Sequence, residues 1–158
     1  VSKNCVELVN PVSALRSILR PDLLSGLIRF SSRNTHVEYP HRIFETGEIC
    51  LKSKKNTITK QFVSVLLSGA EETFETILGI LDSLFKLTKI DYSLIETDNH
   101  YYMLGRSATI LIENTEVGHI GEIHPQILNN YGVEVPMVGL EFDLTKIPKL
   151  NCEEFQSN

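Results

Sequence analysis

The run His-Ile-Gly-Glu-Ile-His places His119, Glu122 and His124 within six residues. Imidazole nitrogen and carboxylate oxygen are the donors of a catalytic zinc shell. Side chains alternate along a strand, however, so Glu122 and His124 share a face and His119 points to the other. Two ligands do not close a metal site. The Pro125 that follows suits His124 as the residue leading into a helix. His36, His41 and His100 have no spacing that helps them. A nucleophile of the Ser-His-Asp kind needs a strained strand-to-helix turn, and no GxSxG is present. Cys50 lies in a run of β-formers and reads as a small core residue. Gly118 and Gly121, and separately Gly26, match no phosphate-cradling loop. Lys52, Lys54, Lys55 and Lys60 form a basic cluster that could meet phosphate. No aromatic lies among the tip lysines to stack a base, and a charged turn also blunts a sheet edge. From these motifs alone the expectation is no catalytic, cofactor-binding or metal-ligating constellation.

The elements that position these residues follow from periodicity. Residues 5–9 read as a short strand ended by Asn10-Pro11. Residues 21–33 read as a helix with Pro21 in its first turn and Leu23, Leu24, Leu27 and Ile28 as its apolar stripe. Residues 41–51 and 58–68 read as a hairpin across a polar, basic loop. Little alternation remains in Phe62, Val63, Val65, Leu66 and Leu67, which predicts a strand covered on both faces. Residues 71–88 give the clearest helix, with Phe74, Ile77, Leu78, Leu81, Leu84 and Phe85 at helical spacing and acids at its start. A strand is expected over 92–97 and a second hairpin over 107–113 and 117–124. A short helix from Pro125 should be stopped by Gly132, and a last strand runs over 137–144. Two hairpins demand antiparallel pairing, so the fold class is α+β: a mainly antiparallel sheet flanked by helices.

Composition bounds the rest. The 158 residues are 42% hydrophobic and 22% charged, enough for one folded domain with a single core. Disorder as the main state is excluded. Three widely spaced cysteines, Cys5, Cys50 and Cys152, do not make a disulfide framework and suit a reduced, cytoplasmic setting. No apolar run reaches the roughly 18 residues of a membrane helix, so no membrane role is expected. No signal peptide opens the chain, and the missing initiator Met suggests a piece of a longer protein. The expected organisation is one domain over 1–148 and a flexible tail over 149–158. Net charge is −5, unevenly spread. Residues 1–60 hold ten basic and five acidic residues, and residues 61–158 hold five basic and fifteen acidic. That balance argues against a dedicated nucleic-acid binder.

An ordered series of segments then carries a resemblance. "VELVNPVSALRSILRPDLLSGLIRFSSRN", "YPHRIFETGEI", "YMLGRSATILIENTEVGHIGEIHPQILNNYGVEVP" and "VGLEFDL" together resemble the β subunit of phenylalanyl-tRNA synthetase, in its synthetase-like (catalytic-like) module. The resemblance spans about residues 5–147 and implies a class II aminoacyl-tRNA synthetase-like fold. It also implies a degenerate relative of the catalytic α subunit, which supports assembly of an (αβ)2 enzyme that charges tRNA-Phe with phenylalanine. ATP and magnesium are implied for the holoenzyme and no cofactor for this chain.

Active class II sites hold ATP and the carboxylate with an arginine in an RxE setting. Here Arg42 and Glu45 are spaced RxxE, which on a strand sends them to opposite faces. The third class II motif carries an arginine for the ATP phosphates, whereas "GLEFDLTKIP" offers Gly139, Glu141 and Asp143 instead. Missing cations leave triphosphate charge uncompensated, so no adenylate synthesis is expected of this chain. The family's editing and small metal-binding modules would lie upstream. The chain runs out after "EFDLTKI", which suits the archaeal/eukaryotic type. Pro11 resembles the proline ending the first class II motif, so Asn10, Pro11, Arg16, Arg20, Leu24 and Leu27 are the expected contacts with the α subunit. Two competing functions remain as alternatives: a metal-dependent hydrolase using Glu122 and His124, and a tRNA-binding module using the 52–60 basic hairpin.

Overall fold

Six antiparallel strands form one sheet in a computed structural model that describes residues 5–12, 17–54 and 56–147. The expectations for Arg16, Lys55, Cys152 and the 149–158 tail lie outside the described residues. In chain order the strands are β1 (His41–Lys52), β2 (Thr57–Ser68), β3 (Ser93–Glu96), β4 (Tyr102–Ile112), β5 (Thr115–Ile123) and β6 (Met137–Asp143). The helices are α1 (Leu24–Arg33), α2 (Phe74–Leu87) and α3 (Pro125–Asn130). The spatial order is β1-β2-β6-β5-β4-β3. The last strand therefore joins the two hairpins from the middle. Its sequence, Met-Val-Gly-Leu-Glu-Phe-Asp, explains this: all but Glu141 are buried, which only a central strand covered on both faces can satisfy.

The alternation of β6 assigns the two layers. Val138, Leu140 and Phe142 face α2, where they meet Ile77, Leu81 and Phe85, one residue per helical turn. Phe85 packs edge-on to Phe142, with ring centroids 5.6 Å apart. Met137 faces α1 and shares a second core with Leu24, Leu27, Ile28, Leu66, Tyr102 and Ile123. β1 behaves as an edge strand should. His41, Ile43, Glu45, Gly47 and Ile49 turn inward towards the α1 layer, while Arg42, Phe44, Thr46 and Glu48 are exposed.

Helix ends follow local chemistry. Thr73 caps α2, its hydroxyl accepting from the Thr76 amide while the Thr76 hydroxyl accepts from the Thr73 amide. The helix thus starts at Phe74, after Glu71 and Glu72, and Glu72 turns back to pair with Arg42 at 2.8 Å. Helix α3 ends in the expected glycine cap. Gly132 has φ +67°, its amide donates to Asn129 O, and the Val133 amide donates to Leu128 O. This is the paired bonding of a Schellman motif.

Three expectations need correction. Helix α1 begins at Leu24 rather than Pro21, because side-chain carboxylates take the amides of residues 23–25 before the helix starts. Residues 5–9 make only isolated bridges, Cys5 to Leu51 and Glu7 to Ile18. Their partners are the β1 edge and the segment before α1, so no continuous ladder forms. β4 starts at Tyr102, five residues earlier than expected, through an irregularity containing Gly105 at φ +75°.

Candidate functional site

A polar row crosses the sheet beneath the level of α1. In register, Glu45 on β1 pairs with Ser64 on β2, Ser64 with Glu141 on β6, Glu141 with His119 on β5, and His119 with Thr109 on β4. Directly opposed residues share a face, so these five side chains lie on the α1 side. The neighbouring row is Ile43, Leu66, Gly139, Gly121 and Ser107. Its two glycines leave a trough. A Cβ on Gly139 would stand 2.8 Å from Leu24 Cδ1, and one on Gly121 would stand 2.9 Å from the Tyr102 ring. Helix α1 seats Leu24 in that trough.

Glu141 fixes the entry of the helix. Its Oε2 accepts from the Leu23 and Leu24 amides, each at 2.8 Å, across more than a hundred residues of chain. These amides have no partner within the helix, and a carboxylate there also meets the positive end of the helix dipole. Asp22 serves the same turn. Its Oδ1 accepts from the Ser25 amide at 2.9 Å and its Oδ2 from the Tyr101 hydroxyl at 2.9 Å. Burial, with the nearby Asp22 charge adding to it, pushes the Glu141 carboxyl up to about 7, against the pull of the two amides and Ser64. The Tyr101 hydroxyl is pushed well above its usual range by burial and by Asp22.

Among the described residues, Arg20 and Lys60 on this face are already engaged. The Arg20 guanidinium lies over Gly47, where a Cβ would overlap it, and bonds Glu45 and the Glu48 carbonyl. Lys60 reaches Asp143 at 2.7 Å. Burial raises Asp143, but the bonds from Lys60 and Thr145 outweigh it and hold the carboxyl below its ordinary range. Arg42 and Glu45 lie on opposite faces, Arg42 paired with Glu72 and Glu45 with Arg20. A nucleotide triphosphate and its magnesium do not fit this face. Among the described residues it presents Asp22, Glu45, Glu141 and Asp143, and the cations Arg20 and Lys60 are held by two of those acids.

His119, Glu122 and His124 each have a separate partner. Glu122 pairs with Arg106 at 2.8 Å on the α2 face. His124 caps α3, its Nδ1 accepting from the Gln126 amide at 3.1 Å. His119 lies beside Thr109 Oγ1 at 3.3 Å and Glu116 at 3.5 Å, and burial lowers its imidazole below the usual value. Among the described residues no group of three His, Cys, Asp or Glu side chains could hold a metal ion. The basic hairpin is also smaller than expected, since Lys60 belongs to β2 and is bound to Asp143. Cys50 is half-buried on the outer side of β1 beside Thr59, not a core residue.

The expected interface residues divide. Leu24 and Leu27 are 2% and 6% exposed, packed in this chain's own core. Arg20 is held by Glu45, Asn10 is exposed and Pro11 half-buried. Around Asn10-Pro11 the exposed apolar residues are Leu8, Val9 and Val12, with Val9 94% exposed. Gly118 and Gly121 are needed for space, whereas a Cβ on Gly47 would meet only the end of the Arg20 side chain. A Cβ on Gly118 would overlap Glu141 O and Phe142. Sequence reading missed the role of Glu141. Its one signal is an acid at a central position of an apolar strand, next to a proline-aspartate helix start elsewhere.

This sheet, with helices on both faces, is shared with a synthetase. The structure of Desulfitobacterium hafniense PylSc, a pyrrolysyl tRNA synthetase, superposes with a TM-score of 0.72 at 16% identity, covering 98% of this chain and 54% of that one. The fold is therefore the class II aminoacyl-tRNA synthetase fold. The sequence narrows this further: residues 2–144 match the model of the phenylalanyl tRNA synthetase beta chain CLM domain, and the chain belongs to that family. The phenylalanine–tRNA ligase β subunit of Pyrococcus abyssi is 44% identical over 142 residues, 88% of this chain and 26% of that protein. Its counterpart in Pyrococcus furiosus is 42% identical over the same length, and that of Borreliella burgdorferi is 33% identical over 148 residues. The chain spans about a quarter of the length of these curated relatives.

Proposed function

We propose that the chain is a noncatalytic synthetase-like domain of a phenylalanine–tRNA ligase β subunit. It works by docking on the catalytic α subunit within an (αβ)2 enzyme of the cytoplasm. That enzyme uses ATP and magnesium to charge tRNA-Phe, and this chain contributes a folded surface rather than reacting groups. No helix of the described chain is long and apolar enough to cross a membrane.

One observation supports the noncatalytic reading above the others. The sheet face beneath α1 is filled by the chain's own contacts, with Glu141 holding the helix and with Arg20 and Lys60 committed to Glu45 and Asp143. Phosphoryl and adenylyl transfer depend on cations aimed at developing charge. A face whose cations already serve carboxylates offers none at no cost. Docking is supported by the apolar residues left in water beside Asn10-Pro11: Leu8, Val9 and Val12.

Phenylalanine-dependent exchange of pyrophosphate into ATP tests the noncatalytic half. The purified chain is expected to show no exchange above a protein-free control, at any magnesium concentration. Exchange that depends on both phenylalanine and this chain would sink the reading.

A further inference from the structure

We propose that residues 148–158 lie along an apolar groove on the α2 side of β1 and β2, as a strap the chain provides for its own sheet. The groove arises because α2 covers only half of that face. Val138, Leu140 and Phe142 lie under the helix. Their rows continue outward in register, through Leu67, Val65 and Val63 on β2 to Arg42, Phe44 and Thr46 on β1. Among the described residues the β1 end of those rows stays open, with Phe44 73% exposed. Ile80 and Leu84 of α2 form one wall, and Leu144 and Ile147 form another. The space amounts to about 500 Å³, and its lining is apolar except for Arg42, Thr46 and Thr88. Folded chains rarely leave so apolar a face in water without something to cover it.

The point where the chain leaves the described residues selects the occupant. Ile147 is part of the groove wall, its backbone is extended at φ −83° and ψ 131°, and Pro148 follows it. A proline keeps the residue before it extended. The chain therefore enters 148–158 from inside the groove. A segment tethered there needs no partner concentration, and closing so short a loop costs little. Its length is sufficient. Asp143 is in register with Phe62 and, through it, with Gly47, so Ile147 lies at the Thr46 end of the groove. From Thr46 to Arg42 the strand runs about 13 Å. The eleven residues after Ile147 reach about 36 Å when extended.

Charge gives the direction of the run. Glu48, exposed, follows Thr46 on this face of β1 at the near end. Arg42 stands at the far end, its Nε on Glu72 and its side chain 60% exposed. The two are about 20 Å apart along the strand. The segment reads Pro-Lys-Leu-Asn-Cys-Glu-Glu-Phe-Gln-Ser-Asn. Its one cation, Lys149, comes first, and Glu153 and Glu154 follow about 13 to 17 Å later in an extended chain. Laid from Ile147 towards Arg42, the segment brings Lys149 to Glu48 and its acids to Arg42. Leu150 and Phe155 are its apolar residues, for Phe44, Val63 and Val65 in the groove. A strap in place withholds this face from other copies and partners until it is displaced. The inference rests neither on the noncatalytic reading nor on docking at Asn10-Pro11.

NMR on the isotope-labelled 158-residue chain tests this. Backbone order parameters from Leu150 to Phe155 are expected to match those of the sheet, above about 0.8. The Leu150 methyls and the Phe155 ring should show Overhauser contacts to the Val63, Val65 and Leu84 methyls, unchanged on dilution. The double change Leu150→Asp, Phe155→Asp should abolish those contacts and raise binding of the apolar dye ANS several-fold, as the groove opens. Neither residue belongs to the two cores, so the circular dichroism spectrum should not change. Order parameters below about 0.6 across the segment would overturn the strap, since they are those of a free tail. Contacts that fade on dilution would overturn it too, because the occupant is then a second copy. So would equal dye binding by the two proteins, which is the behaviour of a groove already open. Should the double variant not fold, order parameters and contacts in the unaltered chain decide.

Discussion

Gly118→Ala is expected to lower stability by about 3 kcal/mol or more, at the upper end of what overpacking a core costs. The reason is local and rigid. A Cβ at Gly118 would overlap the Glu141 carbonyl oxygen and both the Cα and Cβ of Phe142. Those atoms belong to β6, the central strand paired with β5 through Gly118 and Phe142. A flexible side chain could swing aside, but backbone cannot, so β5 and β6 must separate. Phe142 is 1% exposed and packs on Phe85, so the strain passes directly into the α2 core. Urea denaturation followed by circular dichroism checks this. The midpoint should fall with little change in slope, because the same surface is exposed on unfolding. A midpoint within error of the unaltered chain would show that the strands accommodate the methyl group and that the close approach is not needed.

Placing aspartate at both Val9 and Val12 is expected to weaken assembly with the catalytic α subunit by about 100-fold while leaving the fold intact. Both side chains stand in water, flanking Asn10-Pro11, and neither contributes to the two cores. Surface changes of that kind alter stability by no more than about 0.5 kcal/mol. Buried against a partner, each would place an unpaired charge in an apolar contact, which interfaces penalise strongly. Affinity between the purified subunits, with thermal midpoints as a control, gives the answer. Equal affinity with an unchanged midpoint would move the interface away from this segment, leaving the apolar groove along β1, β2 and α2 as the next surface to alter. That groove, of about 500 Å³, is lined by Phe44, Val63, Val65, Ile80 and Leu84 among others.

What could be read in advance was what short-range chemistry decides. The two strands of the first hairpin, helix α2 with its apolar stripe, and the glycine stop at Gly132 all follow from spacing within a dozen residues. The antiparallel character of the sheet followed from the hairpins. The place of β6 between β2 and β5 did not, because it depends on which strand can be buried on both faces. The start of α1 was misplaced by three residues for a related reason. Pro21 marks a possible first turn, but the amides of Leu23 and Leu24 are taken by a carboxylate 117 to 118 residues away, which no local pattern encodes.

The candidate site shows the same division. Opposite faces for Arg42 and Glu45 were legible from strand parity alone. So was His124 as the residue before a helix. The packing of Leu24 and Leu27 in the chain's own core was not legible, because an apolar stripe looks alike whether it meets a partner or its own sheet. The glycine trough that receives Leu24 is assembled from β5 and β6 and is visible only in the folded chain. The polar row from Glu45 to Thr109 is likewise a product of register, one residue from each of five strands.

The most direct measurement of function as docking rather than chemistry is the mass of the complex formed on co-expression with the cognate catalytic α subunit. A stoichiometric complex of the two chains, stable through gel filtration and native mass spectrometry, is the expected result. Separate elution of two folded, uncomplexed chains would contradict it.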